Sequence, residues 1–297
     1  MKRPDMYIEY MPLEEYSEKF KDIFTFKRED GILEVRMHTE GGPVCWNEKI
    51  HLGLSQMFSI VGADPENEVI IFGGTGDQWV ISRPSPEDLK KNLDRMLNDP
   101  KAYAQYLYDD WYNVGNHINY IPLYNIHVPI IGVINGPGPH TEFPLMMDIT
   151  YATPDATFVE PHFNPLGMAT GDGLYLVFQE LFGVKRANQM ACTGCTVSAQ
   201  QAYDWGGLNG VFDREEIWDK AWEMARFFKS KDRITRMVQH DIMRQRWREV
   251  FSVNAEFQFM AECMAEAARD HKAELARGQN WAEKLTTIKF GSDISEK

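Results

Sequence analysis

The sequence predicts an α/β fold that ends in a helical C-terminal subdomain. Three observations predict it. "EVIIFGG" and "PIIGVING" are unbroken apolar runs ending in glycine, as expected of strands buried on both faces. "IFTFKREDGILEVRMHT" alternates apolar and polar residues on both sides of Glu29-Asp30-Gly31, a β-hairpin signature. From Arg214 onward the text is helical.

Taken in order, residues 1–20 are polar and aromatic and read as an arm over the surface or over a neighbouring subunit. After the hairpin, "WNEKIHLGLSQMFSIVGAD" carries apolar residues at 50, 54, 57, 58 and 61, which is helical spacing. The segment 84–125, between the two apolar runs, reads as helix and is rich in tyrosine and tryptophan (Tyr103, Tyr106, Tyr108, Trp111, Tyr112). Beyond Gly136 come a short helix, the strands "DITYAT" and "ATFVE", and a loop "PHFNPLGMATGDG" that opens a helix. "EEIWDKAWEMARFF" and a long amphipathic stretch to about residue 277 complete the chain. Strands alternating with helices, then a helical tail, define three regions: an arm over 1–20, a core over 21–213 and a helical subdomain over 214–297. The chain contains no low-complexity stretch and no internal repeat at a period of roughly 20–50 residues.

The 297 residues carry 44 acidic against 31 basic side chains, a formal net charge of −13. That balance argues against a nucleic-acid partner, because phosphate affinity needs clustered Lys and Arg. No apolar run approaches the roughly 20 residues that span a bilayer, and no apolar stretch follows Lys2 and Arg3, so neither membrane span nor signal peptide is expected. Four cysteines give no disulfide framework. These features together suit an enzyme of the cytoplasm.

The familiar catalytic signatures are missing: no G-x-S-x-G elbow, no G-x-x-x-x-G-K-[ST] phosphate loop and no HExxH helix. Cys192-Thr193-Gly194-Cys195 matches a redox or half-zinc pattern, but Cys45 and Cys263 stand alone and far away, so the pair reads as incidental. Histidines in turns at strand ends are better candidates. His140 lies in "NGPGPHTE", His162 in "VEPHFNP", and Asp172 follows ten residues later at a helix start. A histidine with a carboxylate partner is a good general base, since the carboxylate fixes the tautomer and stabilises the imidazolium. His51 sits on a helix, five residues past Trp46.

"VPIIGVINGPGPHTEFPLMMDITYATPDATF" and "MACTGCTVSAQQAYDWGGLNGVF" resemble the core of the crotonase (enoyl-CoA hydratase/isomerase) superfamily, over about residues 24–262. The resemblance implies a spiral of ββα units with the helical subdomain at its end. Two departures matter. Where the CoA-using members have N-G-x-x-x-G-G-G, whose amides help bind the thioester oxygen, this chain reads Asn135-Gly136-Pro137-Gly138-Pro139-His140-Thr141-Glu142. Prolines there supply no backbone donor. Where hydratases carry a catalytic Glu in G-x-P-E, this chain has Glu160-Pro161-His162. The constellation is similar to that of 6-oxocamphor hydrolase and related β-diketone hydrolases, which cleave a carbon–carbon bond between two carbonyls without CoA. Residues carried over are His162, Asp172, Glu262, His140 and His51 as catalytic groups, with Trp46 and Glu142 in substrate binding. The loop from His162 to Asp172 is one residue longer than the pattern, which leaves their pairing open.

The resemblance implies a cofactor-free, metal-free retro-Claisen hydrolase of a cyclic diketone. In it His162, oriented by Asp172, activates water that Glu262 places, while His140 and Trp46 hold the second carbonyl with help from His51. Each residue has a plainer reading: Asp172 as a helix cap, Trp46 as core, Glu262 as a solvated helix face, His51 as a packed histidine. His140, Glu142 and His162 could instead hold a metal. Acyl-CoA hydration, isomerisation or hydrolysis is the competing activity, and a catalytically silent binding protein is the alternative of another class. A homotrimer or dimer of trimers is implied by the resemblance alone.

Overall fold

The computed structural model describes residues 10–81 and 86–277. Parts of the expected arm (1–9), of the aromatic segment (84–85) and of the C-terminal subdomain (278–297) lie outside the described residues. Helix α1 (Leu13–Lys19) leads into the hairpin β1 (Phe24–Glu29) and β2 (Ile32–Met37), with Asp30 and Gly31 at positive φ in its turn. Then come β3 (Val44–Cys45), α2 (Glu48–Ala63), β4 (Val69–Gly74) and β5 (Val80–Ile81). The aromatic segment forms α3 (Pro86–Asn98), α4 (Pro100–Tyr106), a π-helical turn Leu107–Val114 and α5 (Gly115–Asn125). Next are β6 (Ile130–Ile134), α6 (Glu142–Leu145), β7 (Ile149–Ala152), β8 (Thr157–Phe158), a π-turn His162–Leu166 and α7 (Leu174–Phe182). The chain continues through α8 (Val184–Thr193), β9 (Val197–Ser198), α9 (Ala199–Asp204), β10 (Gly210–Val211), α10 (Ile217–Lys229), α11 (Arg233–Ala267) and α12 (His271–Ala276).

Six strands pair in the order β1-β2-β4-β6-β7-β10, antiparallel across the hairpin and parallel elsewhere. The two-residue alternation of a strand explains why both apolar runs lack polar positions. Ile70, Phe72, Ile130 and Ile134 face the larger core with α2 and α7, whereas Val69, Ile71, Ile131 and Val133 face α10. The sheet is therefore covered on both sides. Among the described residues no helix is long and apolar enough to cross a membrane.

One expectation needs correction over the described residues. Within the arm, Leu13–Lys19 is a helix packed into its own chain, because Tyr16 and Phe20 bury their rings in the core and the Tyr16 hydroxyl donates to Asp64 Oδ2 at 3.2 Å. The C-terminal region is helical as expected, and Ile217, Ala221, Trp222 and Ala225 of α10 cover one face of the sheet. Beyond α10 the chain does leave the sheet. The 35-residue α11 is pinned along its length by buried polar groups. His240 Nδ1 meets Asp148 Oδ2 at 2.7 Å and its Nε2 meets Ile126 O at 3.0 Å, while Arg244 donates to the carbonyls of Pro122 and Met146.

The loops after β4 and β6 are stapled together at the carboxyl ends of the parallel strands, where open α/β sheets present their ligand sites. The Asn135 side chain accepts from Gly74 N at 3.1 Å and donates to the carbonyls of Gly76 and Gln78 at 2.9 and 3.1 Å. Trp79 Nε1 donates to His140 O at 3.0 Å. Backbones approach so closely that a Cβ on Gly136 would lie 2.1 Å from Asp77 O, which only glycine avoids. We expect Gly136→Ala to destabilise the protein by about 2 kcal/mol, the cost of overpacking a site whose neighbour is backbone. Urea denaturation with an unchanged slope checks it, and equal midpoints would refute it.

Candidate active site

Glu160, Pro161 and His162 leave β8 in a tight turn. Glu160 Oε1 accepts both the backbone N–H of His162, at 3.0 Å, and an Nδ1 contact of 2.6 Å. Thr170 Oγ1 donates to the other oxygen at 2.6 Å. Glu160 is fully buried, which opposes its charge, yet His162 and these hydrogen bonds hold its carboxyl below the usual range. Burial alone would likewise push the His162 imidazole down, but Glu160, then Asp172 and Glu262, hold it well above its ordinary value. The pair is an imidazolium against a carboxylate.

This corrects the expectation that Asp172 orients His162. Asp172 Oδ2 lies 3.7 Å from His162 Nε2, too far for a hydrogen bond, and equally 3.7 Å from His140 Nδ1. The two-residue spacing of Glu160 and His162 lets one short turn make both contacts that Asp172 would have had to reach across a longer loop. Asp172 also fulfils its plainer reading: its Oδ1 accepts Leu174 N at 3.0 Å where α7 begins, and Asn119 Nδ2 donates to its carbonyl at 3.0 Å. Burial pushes the Asp172 carboxyl up to about 6.

His140 adopts a left-handed backbone with φ 56°, uncommon outside glycine. Its ring stacks on Trp46, centroids 4.0 Å apart and planes at 16°, and Trp46 also packs on Phe143, so its role as core holds beside its place in the site. Nδ1 of His140 stands 3.4 Å from Glu142 Oε1. Burial drives the His140 imidazole down to about 4, against the pull of Asp172 and with the help of His51 and His162. Burial pushes Glu142, whose Oε2 has no hydrogen-bond partner among the described residues, up to about 8.

Glu262 is no solvated helix face. It is buried on α11, with Oε1 3.4 Å from His162 Nε2, and burial pushes it up to about 8. A Cβ on Gly171 would lie 2.3 Å from Glu262 Cβ, so the glycine before Asp172 admits the helix. His51 stands at the start of α2 with Nδ1 3.0 Å from Asp110 Oδ1 and its ring 5.5 Å from Trp46.

The structure therefore brings His140, Glu142, His162, Asp172 and Glu262 into one cluster, with Glu142 and Glu262 buried, the other three partly exposed, and Trp46 and His51 beside it. Within the cluster His162 is held above and His140 below the ordinary histidine range, while burial raises Glu142 and Glu262 further above the usual carboxylate range than Asp172. Glu160 and Asp110 were absent from the sequence expectation. Glu160 was signalled by its spacing to His162, whereas nothing in the sequence links Asp110 to His51 across 59 positions. The ligand atoms of His140, Glu142 and Asp172, and those of Glu160, His162 and Asp172, lie within 4.8 Å of one another, so either set could hold a metal. The cysteines form no disulfide among the described residues, Cys192 is exposed at the end of α8, and none joins such a group.

The sequence matches the enoyl-CoA hydratase/isomerase family over residues 27–287. Peroxisomal enoyl-CoA delta isomerase 3 of Mus musculus is 24% identical over 268 residues, 89% of this chain and 78% of that protein. 4-Chlorobenzoyl coenzyme A dehalogenase-1 of an Arthrobacter species is 31% identical over 106 residues, 35% of this chain and 38% of that protein. Among solved structures, a β-diketone hydrolase from the cyanobacterium Anabaena, bound to (S)-3-oxocyclohexyl acetic acid, has a TM-score of 0.75 at 26% identity, covering 85% of this chain and 97% of that one. An enoyl-CoA hydratase/isomerase of Mycobacterium paratuberculosis has a TM-score of 0.73 over 90% of this chain and 98% of that one, at 17% identity, a likeness of fold.

A histidine held above its ordinary value contributes stability below the ordinary histidine range, and loses it as pH rises through the raised value. Glu160→Gln should therefore cost roughly 3 kcal/mol near pH 6, as expected for breaking a buried pair, with the gap narrowing as pH rises. Denaturation at several pH values measures it; a gap that widens toward alkaline pH would contradict the ion pair.

Proposed function

This chain belongs to the enoyl-CoA hydratase/isomerase family, and we propose that within it the protein is a hydrolase that cleaves a carbon–carbon bond of a cyclic β-diketone without CoA. The observation that carries this reading is the convergence of His140, His162 and Asp172, both imidazoles standing 3.7 Å from one carboxylate oxygen. The likeness to a β-diketone hydrolase over 97% of its length supports it.

Cleavage needs water added to one carbonyl, then expulsion of an enolate from the adduct. Asp172 takes the proton of the attacking water, which Glu262 helps to place, both carboxyls standing within 3.7 Å of His162 Nε2. His162, held cationic by Glu160, donates Nε2–H to the attacked oxygen and stabilises the adduct. This moves the base from His162, where the family pattern suggests it, to Asp172, because a histidine that is already protonated has no lone pair to offer. The carbon–carbon bond breaks as the carboxyl group forms. The enolate takes a proton from Glu142, and His140 Nδ1, between Glu142 and Asp172, reconnects the acid to the base. Trp46 and His51 hold the second carbonyl.

Acyl-CoA chemistry is a second reading, favoured by the CoA thioesters named in the sequence relatives. Pro137 and Pro139 remove amides from the loop that would cradle a thioester oxygen, which weighs against it. Quaternary assembly as a trimer or dimer of trimers and a cytoplasmic location remain part of the proposal.

A panel of cyclic 1,3-diketones in ¹⁸O-water should yield a keto acid labelled in its carboxylate; turnover of acyl-CoA with no ring opening would overturn the reading. His162→Ala should lower kcat by about 10²–10³-fold with the fold intact, as expected when one donor to a developing oxyanion is removed. The profile of kcat/KM should be bell-shaped, falling below about 6 as Asp172 gains a proton and above about 8 as Glu142 and Glu262 lose theirs. Chelation by EDTA should leave turnover unchanged, and a loss restored by a divalent cation would reassign the cluster to a metal.

A further inference from the structure

We propose that Asp110, carried on the π-helical turn of the aromatic segment, is a positioning residue for His51 and through it for the second carbonyl of the substrate. The inference rests on the diketone reading and adds a residue that reading does not contain.

The backbone runs in helical conformation from α4 through Leu107–Val114 into α5, so the π-turn is a widening inside one continuous helix. Such widenings disturb regular hydrogen bonding and recur at functional sites. Here the widened turn delivers Asp110 Oδ1 to His51 Nδ1 at 3.0 Å, with both side chains mostly buried. Neighbouring contacts hold the turn against the start of α2. Trp111 Nε1 donates to Tyr106 Oη at 3.2 Å, and the Arg95 guanidinium lies 4.8 Å from the Tyr106 ring. Arg95 and Lys91 both bind Glu48, at 2.9 and 2.8 Å, one helical turn from His51.

A carboxylate on Nδ1 fixes the ring's tautomer and orientation, and it stabilises the imidazolium when a substrate oxygen takes up negative charge. Among the described residues no hydrogen bond engages Nε2, on the far side of the ring. The ring adjoins Trp46, which stacks on His140, and His51 is near enough to influence the protonation of both His140 and Glu142. Asp110, His51 and Trp46 thus form one connected chain of contacts that ends on His140. The aromatic segment gains a purpose that its length alone did not reveal.

The test combines substitution with ring ¹⁵N spectroscopy of His51. Asp110→Ala should lower kcat by roughly 10- to 100-fold with a smaller change in KM, as expected when a reacting group is misplaced by about an ångström. Asp110→Asn, which keeps an acceptor oxygen, should lose less. In a His51→Ala background Asp110→Ala should have no further effect, and in the otherwise native protein it should turn one His51 tautomer into a mixture. Equal losses in both backgrounds, or an unchanged ¹⁵N pattern, would overturn the assignment. If no diketone is opened by the native enzyme, the functional reading fails, but the spectroscopic arm needs no substrate and still decides the role of Asp110.

Discussion

The contact of 2.6 Å between Glu160 and His162 sets the charge of everything around it. Four carboxyl groups, Glu142, Glu160, Asp172 and Glu262, are gathered in little space, and burial opposes ionising any of them. One of the four is ionised outright because an imidazolium adjoins it and Thr170 and a backbone amide complete its hydrogen bonds. Once that charge pair is formed, the other three share a site that already contains an anion. They respond by holding protons to different degrees, Asp172 less firmly than Glu142 and Glu262. Division of labour among like groups follows from burial and proximity and requires no further device.

The framework that holds this cluster is made of backbone approaches and polar staples more than of apolar contacts. Asn135 ties the loops after β4 and β6 together, and Trp79 fixes the carbonyl of His140. Glycines at 136 and 171 allow a strand loop and a helix to come closer than any side chain would permit. Because α11 is anchored far from the cluster by His240 and Arg244, Glu262 enters as the end of a long rigid lever and not on a loop.

The same fold serves thioester chemistry in relatives that use CoA, so architecture alone does not choose a reaction. The choice lies in which groups face the substrate. A thioester oxygen is served there by backbone amides of a glycine run, and at the positions of that run this chain carries His140, Thr141 and Glu142, with prolines at 137 and 139 just before them. In the proposed reaction the His162 and His140 imidazoles and the Trp46 indole face the substrate instead, groups that would suit a neutral ketone whose oxygen becomes charged only as the reaction proceeds.

Much of this was legible in the chain. Apolar runs ended by glycine marked the central parallel strands, the Asp30-Gly31 turn marked the hairpin, and His140, His162 and Asp172 stood at loop positions where a sheet presents ligands. These are local patterns, and a strand or turn is decided by residues within reach of one another along the chain. Partnerships were decided otherwise. The resemblance implied that Asp172 orients His162 and left the pairing open, and Glu160 holds that ring because hydrogen bonding depends on distances of a few tenths of an ångström. Asp110 reaches His51 only through a π-turn, and α1 proved to be core instead of arm. The sequence by itself determined the fold class and which side chains were available for chemistry. Tertiary structure alone decided which of them touch and which carry charge, because both depend on burial and on contacts between residues far apart in the chain.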